Sequence, residues 1–375
     1  MGNDVKKLLI VISSMCFGGA EIQTLELANG LVDLDYAVDI VVLDHKIDLI
    51  DRARPEIGFH IMNKRAYLDP AVLQKLRLLM GDKKPDLVLC VDLYPLLYVR
   101  LALGKMNSSC RTAAVLHSTL PLNMKERIQR LYLVRMAKSL NQLIFVSQNQ
   151  MEYWVKSWNL NRDKAAVIHN GIDLERFAGF LKKREEVLAV KKNLGFQDNE
   201  IIIGNCSDFR LEKRHKDLVE VCACLLEKGY PIKLLLIGDG YMRRNLEEQI
   251  SSTALEHKVV ITGLVSDVRP YLAAVDIFAL TSDSVETLSI AAIESQAMKK
   301  AVVLSDIGGA SEIVNDGING FLYPACNIDA LFEKLETILQ GRKWIEMGEA
   351  GYRHACKYFH KNKMIQSYDC LFQKM

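Results

Sequence analysis

The chain has 375 residues, of which 50% are apolar and 25% are charged, and its formal net charge is +2. The length favours two domains, and the composition is that of an ordinary globular protein. A net charge this small gives no indication of a nucleic-acid partner.

The nine cysteines are scattered along the chain and form no C-x-x-C pair. This pattern predicts reduced, buried thiols in a cytoplasmic protein. Near the N-terminus, lysines precede an apolar run at 8–12 and imitate a signal peptide, but the run has only the length of a strand. We therefore predict a buried first strand, with a cleaved signal peptide as the alternative. No apolar run reaches the roughly 18 residues that a transmembrane helix needs.

Short apolar runs alternate with helix-period segments through the first half of the chain. The runs are continuously apolar, which predicts parallel strands covered on both faces. The segment between the first two runs has apolar residues three and four apart and predicts an amphipathic helix. Repeated strand–helix units indicate an α/β fold with a doubly wound parallel sheet. The predicted strands are 8–12, 38–43, 87–91, 112–116 and 143–146, and the segment 167–173 closes the first half with a strand and an Asn-Gly turn.

The first candidate binding residues lie at strand ends. Gly18 and Gly19 close the turn after the first strand, where glycine lets a ligand approach the backbone N–H groups. His117 follows the run at 112–116, at the carboxyl end of a strand, where ligands of α/β sheets gather. The alternatives are a turn that only reverses the chain and a histidine bonded to a nearby carbonyl. The turn lacks G-x-G-x-x-G, so a dinucleotide site is not indicated.

The segment 124–138 predicts a basic amphipathic helix. Apolar residues at helical spacing alternate with cations, which are Lys125, Arg127, Arg130, Arg135 and Lys138. We favour a helix that packs on the core and leaves a basic face in solvent. The alternative is peripheral contact with an anionic membrane.

A stretch rich in Lys and Glu follows at 178–199 and has no strand pattern. We place the domain boundary here, with a first domain at 1–178 and a second at 179–355. The last segment, 356–375, predicts a helix with a spaced apolar face that packs back on the first domain. The second domain repeats the rhythm of the first, with strand-like runs at 201–204, 233–237, 259–261, 277–280 and 301–304.

Two cations follow the first strand of the second domain. Arg210 and Lys213 lie in the loop before the next helix, and fixed cations at the carboxyl end of a strand suit a diphosphate. The alternative is ordinary surface charge. Gly238 and Gly240 end the next strand, but Arg243 stands where a dinucleotide motif has its third glycine. This departure disfavours a hydride-transfer enzyme.

The segment 281–323 combines several signals. A strand is followed by Glu286, by a helix-like segment at 288–298 that contains Glu294, by a second strand and by a glycine pair. Two carboxylates at this spacing can hold a hydroxyl-rich ligand, and the helix start between them can hold an anion. A phosphorylated sugar has both features.

Taken in order, these motifs resemble those of glycosyltransferases of the GT-B fold, and specifically of family GT4, a retaining group that uses nucleotide-sugar donors. Glu286 and Glu294 match the family's E-x7-E motif, and 305–324 is similar to the glycine-rich segment that follows it. The resemblance covers nearly the whole chain and implies two Rossmann-like, doubly wound parallel-sheet domains facing a cleft. In the first domain it rests on Gly18-Gly19-Ala20-Glu21, His117 and 167–177.

The resemblance also implies a role for each candidate residue. Glu286 would orient the donor sugar, while Arg210 and Lys213 would neutralise the departing diphosphate. Glu294 would bind the ribose hydroxyls, and His117 would hydrogen-bond the sugar. No metal ion and no cofactor is implied, because cationic side chains and a helix start take the place of Mg²⁺. The other positions implied to contact substrate are Gly18, Gly19, Gly238, Leu264, Thr287, Leu288 and Ser289.

The chain departs from the family pattern in three places. Many members have glycines after the first acid, whereas this chain has Thr287-Leu288-Ser289, whose hydroxyl groups could bond to phosphate or sugar. The arginine stands three residues before the lysine, as in some members only. After the second acid, Lys299 and Lys300 replace small residues, which we expect to be a change at the surface.

The expected function is transfer of a sugar from a nucleoside diphosphate sugar, expected to be UDP-linked, to an acceptor hydroxyl with retention of configuration. Cell-surface polysaccharide or glycolipid synthesis is the expected setting. The acceptor would be a sugar or a lipid-linked molecule, and the enzyme cytoplasmic or peripheral at the inner face of the membrane. The alternatives are a nucleotide-sugar epimerase of the same fold and a non-catalytic nucleotide-sugar binder.

Overall fold

The structure is a computed structural model that describes residues 5–104, 110–121, 124–284 and 286–375, without the side chains of 125 and 126. The chain divides into two compact units. The first unit joins Met1–Gly171 to Lys361–Met375, and the second unit is Ile172–His360.

The first unit is built on one parallel sheet. Its strands are β1 Lys7–Ile12, β2 Ala37–Val42, β3 Gly58–Ile61, β4 Leu87–Val91, β5 Arg111–Leu116, β6 Gln142–Phe145 and β7 Ala165–Val167. They lie in the order β3-β2-β1-β4-β5-β6-β7. Every residue of β4 is buried, as expected for a central strand covered on both faces. The strand order reverses between β1 and β4.

Helices connect these strands and cover the sheet. They are α1 Gly19–Val32, α2 Pro70–Lys83, α3 Leu93–Leu103, α4 Met124–Ala137 and α5 Gln148–Trp158. Their inner faces join the strands in a core that includes Leu96, Phe145 and Trp154.

The second unit repeats this architecture. Its strands are β8 Ile201–Cys206, β9 Ile232–Ile237, β10 Val259–Ile261, β11 Ile277–Leu280, β12 Ala301–Ser305 and β13 Gly320–Tyr323. They form a parallel sheet in the order β10-β9-β8-β11-β12-β13, which reverses between β8 and β11. The prediction of two doubly wound parallel-sheet domains is therefore confirmed.

The helices of the second unit flank its sheet in the same way. None of the described helices has the length and the apolar character that spanning a bilayer requires. The helices of this unit are α6 Leu174–Leu181, α7 Arg184–Asn193, α8 His215–Glu227, α9 Arg243–Ser251, α10 Arg269–Ala274, α11 Ile290–Ala297, α12 Ala310–Ile313, α13 Ile328–Gly341 and α14 Trp344–Tyr358.

The last helix, α15 (Lys361–Lys374), belongs to the first unit and packs on α1. Gly30 makes this close packing possible, because a Cβ at that position would lie 2.1 Å from the Ile365 side chain. The Tyr36 hydroxyl also donates to the Asp369 carboxylate at 2.7 Å. This helix begins at Lys361, five residues after the predicted start at 356.

The unit boundary falls a few residues before the sequence-based boundary at 178. The structure divides the chain between Gly171 and Ile172. Because α6 packs against α10 and α11, residues 174–181 belong with the second unit. The Asp173 side chain caps α6 by accepting a hydrogen bond from the Arg176 backbone N–H.

Two strands have no counterpart in the sequence-based prediction. β3 and β13 lie at the edges of their sheets. Every residue of β3 is only partly buried, and two of the four residues of β13 are. Their sequences, GFHI and GFLY, lack the continuous aliphatic run that predicted the other strands.

Lys300 is buried, so the expectation of a surface change is wrong at this position. Its side chain is 9% exposed, and Nζ donates to the Ala273 carbonyl at 2.8 Å. Burial lowers the pKa of Lys300 to about 8. Lys299 instead is exposed and pairs with Glu349. The backbone turns at Lys299, where φ is 58°, and thereby directs the next residue into the start of β12.

The prediction of buried thiols is only partly right. Cys90 and Cys222 are buried in the cores of the two units. Four others are exposed: Cys224, Cys356 and Cys370 lie on outward faces of helices, and Cys326 lies in a loop. The spacing of cysteines in the sequence does not reveal this exposure.

Candidate active site

The candidate residues of the second unit lie where its strand order reverses. The chain continues from β8 toward β9 and β10 on one side, and from β11 toward β12 and β13 on the other. The loops after β8 and β11 therefore diverge at the carboxyl ends of neighbouring strands, where open α/β sheets bind ligands. We call the described residues of 207–214 and 281–294 the second-unit site.

An ion pair joins the two loops of the second-unit site. Lys213 Nζ lies 2.6 Å from Glu286 Oε2, and the two side chains are 19% and 18% exposed. Ser282 Oγ donates to the same carboxylate oxygen at 3.1 Å. The fold thus brings together two predicted residues that are far apart in the sequence.

Hydrogen bonds to main-chain carbonyls hold these loops against each other. The Asp283 N–H donates to the Glu212 carbonyl at 2.9 Å. The Thr281 hydroxyl donates to the Lys213 carbonyl at 2.8 Å. Because these bonds fix the main chain on both sides, the Lys213 and Glu286 side chains start from defined positions.

Gly308 supports the Glu286 loop from the end of β12. Its φ is +56°, and a Cβ there would lie 1.7 Å from the Glu286 carbonyl oxygen. The next residue, Gly309, donates its N–H to the Thr287 carbonyl at 2.8 Å. Only glycine combines this backbone angle with such a close approach. The glycine pair noted in the sequence therefore shapes the loop that carries Glu286.

Arg210 lies on the rim of the second-unit site. Its guanidinium pairs with Asp208, and its side chain is 44% exposed. Gly238, at the end of β9, lets the Arg210 loop approach closely. Its φ is +139°, and a Cβ there would lie 2.3 Å from the Ser207 carbonyl oxygen. Gly238 thus contacts the loop of a predicted substrate-binding cation.

A buried hydrogen-bond chain anchors the same loop, and the sequence analysis did not identify it. The Asn205 amide donates to the Ala279 carbonyl, and the Ser207 hydroxyl donates to the Asn205 side chain at 2.8 Å. Ser207 Oγ lies 2.9 Å from His215 Nε2, which is therefore the donor. Burial lowers the pKa of His215 to about 4, and nearby Lys213 acts in the same direction.

The helix within the E-x7-E motif begins later than the predicted segment at 288–298. Ser289 caps α11, and its hydroxyl accepts a hydrogen bond from the Ala292 N–H at 3.2 Å. The Ser289 oxygen therefore accepts a bond within the fold, and its hydroxyl proton can still be donated to a ligand. Leu288 is 6% exposed. What the helix start offers a ligand is its positive dipole end and its first backbone N–H groups.

Glu294 lies inside α11 and is partly buried. Burial raises the pKa of its carboxyl to about 8. The Arg176 guanidinium opposes this shift, and the Asp267 carboxylate reinforces it. The protonated form of the ligand-free carboxyl is therefore favoured at neutral pH.

Leu264 follows β10 and is 81% exposed. It lines an open cavity of about 490 Å³ whose wall includes Val265, Asp267 and Tyr271. Gly263, which precedes it, pairs with Gly238 in an isolated bridge. Leu264 is thus tied through its neighbour to the end of β9.

In the first unit, the glycine turn lies beside a carboxylate. Gly18 is the N-cap residue of α1, and Glu21 is the acidic residue in the first turn of this helix. A Cβ at Gly18 would lie 2.3 Å from Glu21 Oε2. The Ser14 hydroxyl donates to Glu21 Oε1 at 3.1 Å. The room beside Gly18 is therefore filled by Glu21, to which the sequence analysis gave no role.

His117 lies at the end of β5 and is held by Asp92. The His117 backbone N–H donates to Asp92 Oδ1 at 2.8 Å. Asp92 itself has a φ of 65°, a left-handed conformation that is rare outside glycine and frequent at functional sites. Desolvation lowers the pKa of the His117 imidazole, while the Asp92 and Glu21 carboxylates oppose this shift. We call Glu21, Asp92 and His117 the first-unit site.

The arrangement in the second unit suits a sugar diphosphate chemically. It offers the cations Lys213 and Arg210 for phosphate, and a carboxylate, Glu286, for hydroxyl groups. Within the described ranges, no group of three or more His, Cys, Asp or Glu side chains is placed to ligate a metal ion.

Two family models match the chain, one in each half. The model described as Glycosyl transferases group 1 matches residues 188–358, which include the second-unit site. The model described as Glycosyltransferase Family 4 matches residues 17–176, which include the first-unit site. Together the two models cover most of the chain, so the chain belongs to the glycosyltransferases that they describe. The enzyme is a glycosyltransferase, so the epimerase and the non-catalytic binder are set aside.

Relatives of this glycosyltransferase extend over most of its length. It is 27% identical to the glycosyltransferase MJ1607 of Methanocaldococcus jannaschii, in an alignment of 342 positions that covers 86% of this chain and 85% of that protein. It is 25% identical to a Campylobacter jejuni enzyme, in an alignment of 378 positions that covers 96% of this chain and 98% of that protein. The latter is named N-acetylgalactosamine-N,N'-diacetylbacillosaminyl-diphospho-undecaprenol 4-alpha-N-acetylgalactosaminyltransferase.

Solved structures of similar fold confirm the GT-B architecture of the enzyme. Anabaena Alr3699/HepE in complex with UDP superposes with a TM-score of 0.86 at 20% identity, over 99% of this chain and 100% of that chain. A glycosyltransferase from Rickettsia africae superposes with a TM-score of 0.86 at 24% identity, over 99% of both chains.

Proposed function

We propose that this glycosyltransferase moves a sugar from a UDP-sugar to an acceptor hydroxyl and retains the α configuration at the anomeric carbon. The observation that carries the proposal is the Lys213–Glu286 pair, which sets a cation for phosphate beside a carboxylate for sugar hydroxyls. UDP as the nucleotide is supported by the structures of HepE with UDP and with UDP-glucose.

In this proposal the donor diphosphate lies at the start of α11. The backbone N–H groups of Leu288 and Ser289 and the helix dipole meet its negative charge. Lys213 and Arg210 stabilise the charge that develops on the departing phosphate, an electrostatic effect that grows in the transition state. Glu286 accepts hydrogen bonds from the sugar and orients the anomeric carbon.

Retention is proposed to follow a front-face path. The bond between the anomeric carbon and the phosphate oxygen breaks, and the acceptor oxygen bonds to the same face of the sugar. The acceptor proton passes to the departing phosphate oxygen, so UDP leaves as the second product. This path needs no covalent bond between sugar and protein.

The nucleoside is proposed to lie between Glu294 and Leu264. Ionised Glu294 would accept hydrogen bonds from the ribose hydroxyls, and Leu264 offers an exposed apolar surface for the base. The Gly238–Gly263 bridge supports this assignment, because it ties the Leu264 loop to the end of β9.

We propose a lipid-linked sugar as the acceptor, with the first-unit site binding its hydroxyl groups. The support is the name of the Campylobacter jejuni relative, which contains a diphospho-undecaprenol. Neutral His117 can donate or accept a hydrogen bond, and Glu21 can accept one. A lipid-linked acceptor would place the enzyme at the inner face of the membrane, in polysaccharide or glycolipid synthesis.

We also propose that transfer needs no metal ion, because Lys213, Arg210 and the helix start supply the positive charge. The rate of transfer should be the same with EDTA as with Mg²⁺. A rate that EDTA abolishes and Mg²⁺ restores would contradict this part of the proposal.

The proposal is tested first by a screen of nucleoside diphosphate sugars. A bound donor raises the melting temperature by mass action, so a UDP-sugar should give the largest rise. The selected donor is then incubated with an undecaprenyl-diphosphate sugar, and the anomeric configuration of the product is read by NMR. No response to any donor would contradict sugar transfer from nucleotide donors, and a β-linked product would contradict retention alone.

A further inference from the structure

The outer face of α4 exposes a continuous set of apolar side chains. They recur three and four residues apart, so they lie on one side of the helix. Large apolar side chains gathered on one face indicate an interaction site, whereas single exposed ones do not. The exposed fractions are 66% for Met124, 61% for Ile128, 58% for Leu131 and 56% for Tyr132.

The opposite face of α4 is engaged in the core of the first unit. Leu133, Val134 and Ala137 are buried. Arg130 is buried too, which corrects the expectation that all the cations of this helix lie in solvent. Its guanidinium stacks on the Trp154 ring at 4.7 Å and donates to the Thr119 carbonyl. These contacts hold the helix, so its outer residues are not needed for packing.

The remaining described cations share the outer face with the apolar residues. Arg127, Arg135 and Lys138 are exposed. With about 3.6 residues per turn, they fall among the exposed apolar side chains. The sequence from 127 to 138 contains no acidic residue. An apolar face interleaved with cations is complementary to anionic headgroups above acyl chains.

Another exposed aromatic side chain, Tyr67, is 45% exposed. Burial and the phenols of Tyr98 and Tyr132 raise the pKa of Tyr67, so its hydroxyl stays neutral. We call the outer face of α4 the docking surface, and it comprises Met124, Arg127, Ile128, Leu131, Tyr132, Arg135 and Lys138.

We propose that the docking surface binds an anionic phospholipid bilayer, with its apolar side chains at the boundary between headgroups and acyl chains. Tyrosine suits this boundary, because its ring is apolar and its hydroxyl is polar. The cations lie at the level of the lipid phosphates, where each contributes electrostatic attraction. A second copy of the chain fits less well, because a symmetric contact would bring the same cations against each other.

The test is co-sedimentation of the full chain with vesicles of phosphatidylcholine alone and of equal parts phosphatidylcholine and phosphatidylglycerol. We expect binding to the anionic vesicles that weakens as salt rises. Replacing Arg127, Arg135 and Lys138 by Gln should lower the partition coefficient about a hundred-fold, at roughly five-fold per cation. Ile128→Ser with Leu131→Ser should weaken binding at least ten-fold and leave its salt dependence in place.

A matched control removes three exposed cations of the second unit, by Lys228→Gln, Arg244→Gln and Lys343→Gln. This variant has the same net charge as the first triple variant and should bind as the wild type does. Equal losses in the two triple variants would overturn the proposal, since they would show attraction by net charge alone. Self-association that Leu131→Ser abolishes, without binding to any vesicle, would show a protein interface and overturn it too. Vesicle binding needs neither donor nor acceptor, so the result is independent of the proposed transfer.

Discussion

The two units hold their candidate residues by different means. In the second unit, loops from neighbouring strands are joined through their main chains, as in the bonds from Asp283 to Glu212 and from Gly309 to Thr287. In the first unit, side chains hold the site: Asp92 bonds to the His117 N–H, and Glu21 fills the room beside Gly18. A loop that is fixed through main-chain hydrogen bonds cannot easily shift to accommodate a substituted side chain. We therefore expect substitutions in the second-unit site to cost more than those in the first-unit site.

The largest effect is expected from Lys213→Ala. Removing the cation beside the departing phosphate should lower kcat by about 10²- to 10³-fold, the range found when one charge-stabilising donor is lost. Initial rates of transfer with the donor selected by thermal shift would measure this. The control is Lys228→Ala, which removes an exposed lysine paired with Glu336 in the same unit. Similar losses in both variants would show that the position of the cation is unimportant.

Gly308→Ala tests whether main-chain proximity shapes the second-unit site. The new Cβ would meet the Glu286 carbonyl oxygen at 1.7 Å, so the loop must shift. We expect at least a ten-fold loss of donor affinity by calorimetry, together with a strain cost of about 1–3 kcal/mol.

Gly317→Ala is a matched control for this change. Gly317 also has a positive φ, of +78°, but its Cβ would come no closer than 3.9 Å to Phe321. This variant should lose stability from backbone strain and keep donor affinity. If Gly308→Ala also keeps donor affinity, the close approach does not position Glu286.

Glu294 should make donor binding depend on pH. Its pKa of about 8 means that the free enzyme holds a proton there at neutral pH. If the ionised carboxylate binds the ribose, affinity should rise by up to about ten-fold per pH unit as the pH approaches 8, and then level off. Calorimetry in buffers of different ionisation enthalpy should show release of a proton on binding.

Glu294→Gln should remove both the pH dependence and the proton release, whereas Glu333→Gln, at an exposed position of α13, should keep them. The charged or titratable groups that face Glu294 are Arg176, Asp267 and Cys206. A pH dependence that survives in Glu294→Gln would show that Glu294 is not the group that releases the proton.

The smallest effect is expected in the first-unit site. Glu21→Gln should lower the pKa of His117, because the carboxylate favours the protonated imidazole. We expect a shift of at most about one unit, measured by NMR titration of the histidine ring signals. The control is Glu26→Gln on the same helix, whose carboxylate faces Lys361 instead. An unchanged His117 pKa in Glu21→Gln would show that the Glu21 carboxylate does not influence the imidazole.

Much of the sheet could be predicted from the sequence. β4, β10 and β11 have the predicted bounds, 87–91, 259–261 and 277–280, and the other predicted strands differ by one or two residues at their ends. Central strands are recognisable because burial on both faces demands an uninterrupted apolar run. The edge strand β3 carries no such run, whereas the edge strand β10 does. The sequence also marks Glu286 and Glu294 as candidates through a spaced motif, and Lys213 through its place after a strand, and the fold brings Lys213 and Glu286 together.

The sequence by itself therefore determined the α/β architecture, the order of strands and loops along the chain, and the chemical types of the candidate residues. Only the tertiary structure decided their environments. It buried Lys300 and Arg130, exposed the outer face of α4, engaged the Ser289 hydroxyl as a cap and raised the pKa of Glu294. The physical reason is that local patterns depend on neighbours in the chain, whereas burial, close approach and electrostatic surroundings depend on residues that only folding brings together.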